Sequence, residues 1–233
     1  MTLALEIKGL QAWYGESHIL HDMNLSVAQG EVVTLLGRNG AGRTTTLRAI
    51  MGLTGRRSGS IKINGTETIA LPTHRIAHFG VGYCPEERAI FSSLSAEENL
   101  MLPPTLTAGG MSVAEIYQMF PNLEERRSSQ GTRLSGGEQQ MLAVARILRT
   151  GAKLLLLDEI SEGLAPVIVQ ALSRMISTLK AKGYTIVMVE KNFRFAAPLA
   201  DRFYVVEHGH VVAQFNAAEL STKTDELNEL LGV

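Results

Sequence analysis

Short runs of apolar, β-branched residues punctuate this chain, and between them the apolar positions change to helical spacing. The runs are "LALEIKGL", "EVVTLLG", "SGSIKING", "VGYC", "KLLLLDE", "YTIVMVE" and "RFYVVEHGHVVAQF". Helical spacing covers Arg43 to Met51 and resumes after Pro166, where Ile168, Leu172, Met175, Ile176 and Leu179 mark one face. Strands alternating with helices predict an α/β domain around a largely parallel sheet. A hairpin about His208 and Gly209, with a second turn at "INGT", adds antiparallel pieces.

The rhythm changes from about Ser95 to Thr150, where "SAEENLML", "SVAEIYQMF" and "EQQMLAVARILR" are all helical, interrupted by "PPTLTAGG" and Pro121. The reading is one domain over residues 1–233, with an α/β core at 1–94 and 151–233 and an inserted helical lobe at 95–150.

With 233 residues, 45% of them hydrophobic, the chain can bury a substantial core. Its 22 Lys and Arg against 23 Asp and Glu give a formal charge of -1, so no global field draws it to nucleic acid or an anionic membrane. No apolar run approaches the roughly 20 residues of a membrane span, and "MTLALEIKGL" does not read as a leader, so a soluble chain that stays where it is made is expected. A lone cysteine, Cys84, excludes an internal disulfide and suits a reducing compartment. His18, His21, His74, His78, His208 and His210 show no metal spacing, and basic positions without interleaved aromatics give no reason to expect a nucleic-acid partner.

The chemistry concentrates in three segments. "LLGRNGAGRTTTLRAIMG" follows an apolar strand, Val32 to Leu36, and opens a helix, with the spacing of a phosphate-cradling loop. Gly37, Gly40 and Gly42 let successive N–H groups turn toward an anion, and the helix presents its positive end there. Thr44 is placed to ligate Mg²⁺, with Thr45 beside it. Arg43 stands where such loops carry lysine; it keeps the charge, but a planar fork replaces a compact ammonium.

"AKLLLLDEISEG" reads as a buried central strand ending in two acids. Asp158 is where an acid holds Mg²⁺, and Glu159 is placed to polarise an attacking water as general base. In "RLSGGEQQMLAVAR", Ser135 caps a helix and Glu138 completes a capping box, while Met141, Leu142, Ala145 and Leu148 supply the buried face. The same Ser-Gly-Gly start exposes bare N–H groups, a ready anion site.

"LSGGEQQ", "GRNGAGRT" and "LLLLDE" together resemble the motifs of ATP-binding-cassette (ABC) ATPases across the whole chain. The resemblance implies a P-loop α/β core of the ABC type with an N-terminal antiparallel β region and an inserted helical lobe. It implies ATP and Mg²⁺ as ligands, and two cassettes facing head to tail. ATP phosphates would be held by Gly37, Arg38, Asn39, Gly40, Ala41, Gly42, Arg43, Thr44 and Thr45, and adenine would stack on Tyr14. Ser135, Gly136 and Gly137 would serve the ATP of the other cassette, and "EISEGLAP" would carry communication between the two sites.

Within that family, "LLGRNGAG", "VGYCPEERAIFSSLSAEENL", "DEISEGLAP" and "ADRFYVVEHGH" are most similar to the second ATP-binding subunit of branched-chain amino-acid importers; amide and urea importers use similar wording. The implied partners are a second ABC subunit, membrane permease subunits and, indirectly, a substrate-binding protein, with the chain peripheral on the inner membrane face. The segment Cys84 to Leu94 would touch both the γ-phosphate region and the permease. Glu86 occupies the usual place of a glutamine there and remains able to ligate Mg²⁺ or position water. Lys191 occupies the place of a γ-phosphate-sensing histidine, either as a surface lysine or as a cation compensating for Arg43. A hydrolysing motor subunit and a regulatory subunit with a slow phosphate loop both remain open: Asp158 and Glu159 favour the first, Arg43 and Lys191 the second.

Overall fold

The computed structural model describes residues 2–220 together with Thr222, Lys223 and Leu227. Two sheets form among these residues. The first is antiparallel, with strands β1 (Leu3–Tyr14), β2 (Ser17–Ala28), β4 (Arg56–Ile63) and β5 (Thr66–Glu67) in the order β2-β1-β4-β5. The second contains β3 (Val32–Leu36), β6 (Val81–Cys84), β7 (Leu154–Asp158), β8 (Thr185–Val189), β9 (Arg202–Glu207) and β10 (His210–Asn216). Its order is β10-β9-β3-β8-β7-β6, parallel except for β10 on β9.

The continuous apolar runs follow from burial on both faces of this second sheet. Along β7, Leu155 and Leu157 pack into one core, while Leu154 and Leu156 pack into another. β8 alternates in the same way, Ile186 and Met188 against Val187 and Val189. The second core also holds Leu5, Ile7, Leu20 and Val27, so the antiparallel sheet covers that face together with α1 (Arg43–Ile50) and α2 (Thr73–Ala77).

The other face meets the helices between β6 and β7, namely α3 (Ala96–Met101), α4 (Val113–Met119), α5 (Pro121–Glu125) and α6 (Gly136–Arg149), with α7 (Pro166–Ala181) and α8 (Phe193–Ala196). Pro121 does more than interrupt this segment. It opens α5 from its first turn, where a missing N–H costs nothing. Three Ser-x-x-Glu boxes start α3, α4 and α6 at Ser95, Ser112 and Ser135. Losing one such cap costs roughly 0.5–2 kcal/mol. On α6 the expected face of Met141, Leu142, Ala145 and Leu148 is buried, each large side chain contributing roughly 1.5–3 kcal/mol.

Candidate active site

Strand order brings the phosphate loop and the acid pair together. β8 lies between β3 and β7, and Val189 pairs with Leu35 on one side and Asp158 on the other. The carboxyl ends of these parallel strands are therefore level, and open α/β sheets take their ligands outside such ends. Backbone bonds continue the alignment: Glu159 N donates to Val189 O at 2.9 Å and Glu190 N to Leu35 O at 3.3 Å.

The loop after β3 is compact because two positions carry no side chain. A Cβ at Gly37 (φ 149°) would lie 2.2 Å from the Val206 carbonyl oxygen, and one at Gly42 (φ 105°) 2.8 Å from Leu20 Cδ2. α1 has no side-chain cap, so its first N–H groups stay available for an anion. They face a cavity of about 380 Å³ lined by Tyr14, Ile19, Asn39, Gly40, Ala41, Gly42, Arg43, Thr44, Thr45, Glu86, Glu159 and Lys191. Gly37 and the exposed Arg38 stand outside this lining. Half-exposed Tyr14 forms one wall, open to an aromatic partner.

Thr44 lines the cavity and reaches Asp158, which is buried behind it. Thr44 Oγ1 donates to Asp158 Oδ1 at 3.0 Å, and the Tyr83 hydroxyl donates to Asp158 Oδ2 at 3.2 Å. Burial pushes the Asp158 carboxyl up, and these two bonds oppose the shift. A hydroxyl and a carboxylate side by side are oxygen donors of the kind Mg²⁺ takes, so the residues fit that ion. Among the described residues, Glu86, Glu159 and Glu162 also bring carboxylate oxygens within 4.8 Å of one another.

Glu159 is the most constrained group of the site. It is buried, with a left-handed backbone (φ 47°). Arg43 Nη2 donates to its Oε1 at 3.1 Å, and Lys191 Nζ lies 2.7 Å from its Oε2. Burial raises the Glu159 carboxyl and Glu162 raises it further; Lys191 and Arg43 oppose this, and the outcome is about 7. Lys191 also pairs with Glu162 at 3.0 Å, and these bonds push the ammonium above its ordinary range. Arg43 turns its second arm to the Glu190 carbonyl oxygen, Nη1 to O at 2.9 Å, and burial lowers its pKa.

Two neighbours of this network escaped the sequence reading. Glu190 is buried, accepts from Ser161 Oγ at 2.7 Å and from Ser161 N at 3.3 Å, and is pushed up by burial to about 7. An acid ending the apolar run "YTIVMVE", as Asp158 ends "LLLLD", was the available signal. Tyr83, which orients Asp158, sits in the short run "VGYC" and left no such mark.

Ser135, Gly136 and Gly137 lie away from this cavity. Ser135 Oγ accepts from Glu138 N at 3.3 Å, and Ser135 N donates to Glu138 Oε2 at 2.6 Å, the expected capping box. Gly137 packs directly on Ile168 of α7, where a Cβ would come within 2.6 Å of Cγ1. Exposed Glu86 is level with Glu159, while its neighbour Glu87 turns to Arg48 at 3.0 Å.

A glycine-rich loop between a central strand and an uncapped helix, with an acid pair at the end of the next strand but one, defines a P-loop nucleotide-binding cassette. The family model described as ABC transporter matches residues 20–162. The high-affinity branched-chain amino acid transport ATP-binding protein BraG of Pseudomonas aeruginosa is 40% identical over 231 residues, which cover 98% of this chain and 99% of BraG. The lipopolysaccharide export system ATP-binding protein LptB of Escherichia coli is 35% identical over 222 residues, covering 93% of this chain and 92% of LptB. A solved ATP-binding subunit of an ABC transporter superposes with a TM-score of 0.80 at 31% identity over 97% of both chains. The chain belongs to the ABC transporter family and is an ATPase of the kind that drives transport. Its α/β core, antiparallel N-terminal sheet and helical lobe are those of the ABC cassette. No helix among the described residues is long and apolar enough to cross a membrane.

Proposed function

We propose that this chain is the ATP-binding and ATP-hydrolysing subunit of an importer for branched-chain amino acids. The observation that carries hydrolysis is the placement of Thr44 and Glu159 on the cavity that opens at the phosphate loop, with buried Asp158 bonded to Thr44 behind it. The near full-length likeness to BraG supports the amino-acid cargo. In this reading the N–H groups from Asn39 to Thr45 hold the phosphates and Tyr14 stacks on adenine. Thr44 and Asp158, with Glu86 nearby, would hold Mg²⁺, which when bound neutralises phosphate charge. Glu159 takes a proton from the attacking water once Arg43 and Lys191 release its oxygens. Ser135, Gly136 and Gly137 present α6 to the ATP of a second cassette, which accounts for their distance from this chain's own cavity. Permease subunits would hold the chain at the inner membrane face, and a substrate-binding protein would act only through them.

Phosphate release with Mg-ATP, measured beside Glu159→Gln, tests the hydrolytic reading. A loss of about 10²-fold or more supports it; equal rates reject it. Labelled leucine uptake by membranes carrying the chain with its permease tests the cargo, and a lipopolysaccharide requirement instead would favour the likeness to LptB.

One observation favours a second reading. Arg43 spends both arms on Glu159 and the Glu190 carbonyl, away from the loop's N–H groups, as a slow site would. The chain would then be a regulatory subunit whose signature completes a partner's site. Hydrolysis seen only in Arg43→Lys would select this alternative.

A further inference from the structure

Between the cavity and the signature helix lies a connection that the proposed function leaves unused. It starts at Arg88, two residues beyond Glu86. Arg88 and Ala89 are successive non-glycine residues with left-handed backbones (φ 63° and 52°), a conformation that costs roughly 1–2 kcal/mol per residue. Such strain persists only where neighbours hold it.

Local bonds from Arg88 N to the Pro85 oxygen (3.1 Å) and from Ala89 N to the Glu87 oxygen (2.7 Å) close the turn, and the other contacts come from α6. Arg88 Nε donates to Gln140 Oε1 and its Nη1 to Gln139 Oε1, both at 3.2 Å. Arg146 Nη1 donates to the Ala89 carbonyl oxygen at 2.6 Å. The two amides are fixed from their far sides as well. Gln139 Nε2 donates to the Gly131 and Leu134 carbonyl oxygens at 3.0 and 3.2 Å, directly before Ser135. Gln140 Nε2 donates to Cys84 Sγ at 3.6 Å, at the root of the Glu86 loop. A forked cation thus joins two amide oxygens whose orientation is already set, a geometry that lysine cannot reproduce.

We propose that Arg88 is a positioning residue that ties the placement of Glu86 to that of Ser135 and Gly137. This inference rests on the reading above, in which Glu86 faces this chain's nucleotide and the signature serves the second cassette. A bound nucleotide that repositions Glu86 pulls the strained Arg88–Ala89 pair, and the guanidinium carries the pull to the start of α6. Occupancy of one site is thereby reported to the face that completes the other.

Amide hydrogen exchange on the full-length chain, with and without Mg-AMP-PNP, tests this. In the wild type, exchange is expected to slow at residues 37–45 and to change at 134–140. Arg88→Ala is expected to keep the first response and lose the second, with kcat for ATP down about tenfold and KM within about twofold. Arg88→Lys keeps the charge without the fork, so a native melting temperature with kcat down roughly threefold separates lost coupling from lost fold. A response at 134–140 that survives in Arg88→Ala overturns the inference. So does loss of both responses, which would make Arg88 a general support of the loop, or an unchanged kcat. Absence of any response at 37–45 in the wild type rejects the nucleotide site itself, and the inference falls with it.

Discussion

Arg43 and Lys191, far apart in sequence, bind opposite oxygens of one carboxylate: Arg43 Nη2 is 3.1 Å from Glu159 Oε1 and Lys191 Nζ is 2.7 Å from Oε2. Both cations converge on the proposed general base. The Lys191 ammonium also faces Glu162.

The Glu159 carboxyl lies at about 7, and a base acts only when ionised, so kcat/KM for ATP should fall as pH drops through about 7. Lys191→Ala removes a cation that favours the ionised form. The acid limb should then move to higher pH, with the rate at pH 7 lower by roughly threefold. An unmoved limb in a pH series of phosphate release would separate Lys191 from the base.

Arg43 is buried, and its partners differ from those of a phosphate-loop lysine in requiring two directed donors. Arg43→Met should destabilise the chain at neutral pH by roughly 2–4 kcal/mol, because Glu159 keeps only the half-exposed Lys191 and the Glu190 carbonyl loses its donor. Arg43→Lys should cost roughly 1 kcal/mol, the worth of one lost bond. Urea unfolding of the three proteins measures both; a Met variant as stable as the wild type would show that the bridge contributes nothing.

Glu190 predicts a pH dependence of stability. Its ordinary carboxyl value of 4.5 rises to about 7 on folding, so the native chain binds an extra proton between those limits. That stability is fully present below 4.5 and is lost as pH rises through about 7. Glu190→Gln keeps an acceptor for Ser161 without the charge. It should gain on the wild type by roughly 1–3 kcal/mol between pH 5 and 8. Parallel melting curves of the two proteins across that range would contradict the burial of an ionisable group here.

Gly137 is required by packing before any nucleotide is considered. Gly137→Ala places a methyl 2.6–3.0 Å from three carbon atoms of Ile168 and should cost roughly 1–3 kcal/mol through displacement of α6 from α7. Ile168→Ala combined with it should restore part of the loss, a coupling that a double-mutant cycle reads directly. Strict additivity would exclude the contact.

Local sequence fixed much of this protein. The phosphate loop, the two acids after "LLLL" and the Ser135 capping box are each contiguous, so spacing alone revealed them, and glycines at 37 and 42 are dictated by backbone angle and space. The alternation along β7 and β8 was hidden, because strands buried on both faces are apolar at every position. Strand order was hidden too, since it depends on pairing between segments distant in the chain. Placing β8 between β3 and β7 is what sets Glu190 and Lys191 beside Arg43 and Glu159. The chain's own residues determined which chemistry was present; tertiary packing decided which charges meet, because Arg43, Glu159 and Lys191 become neighbours only when three parallel strands end at one level.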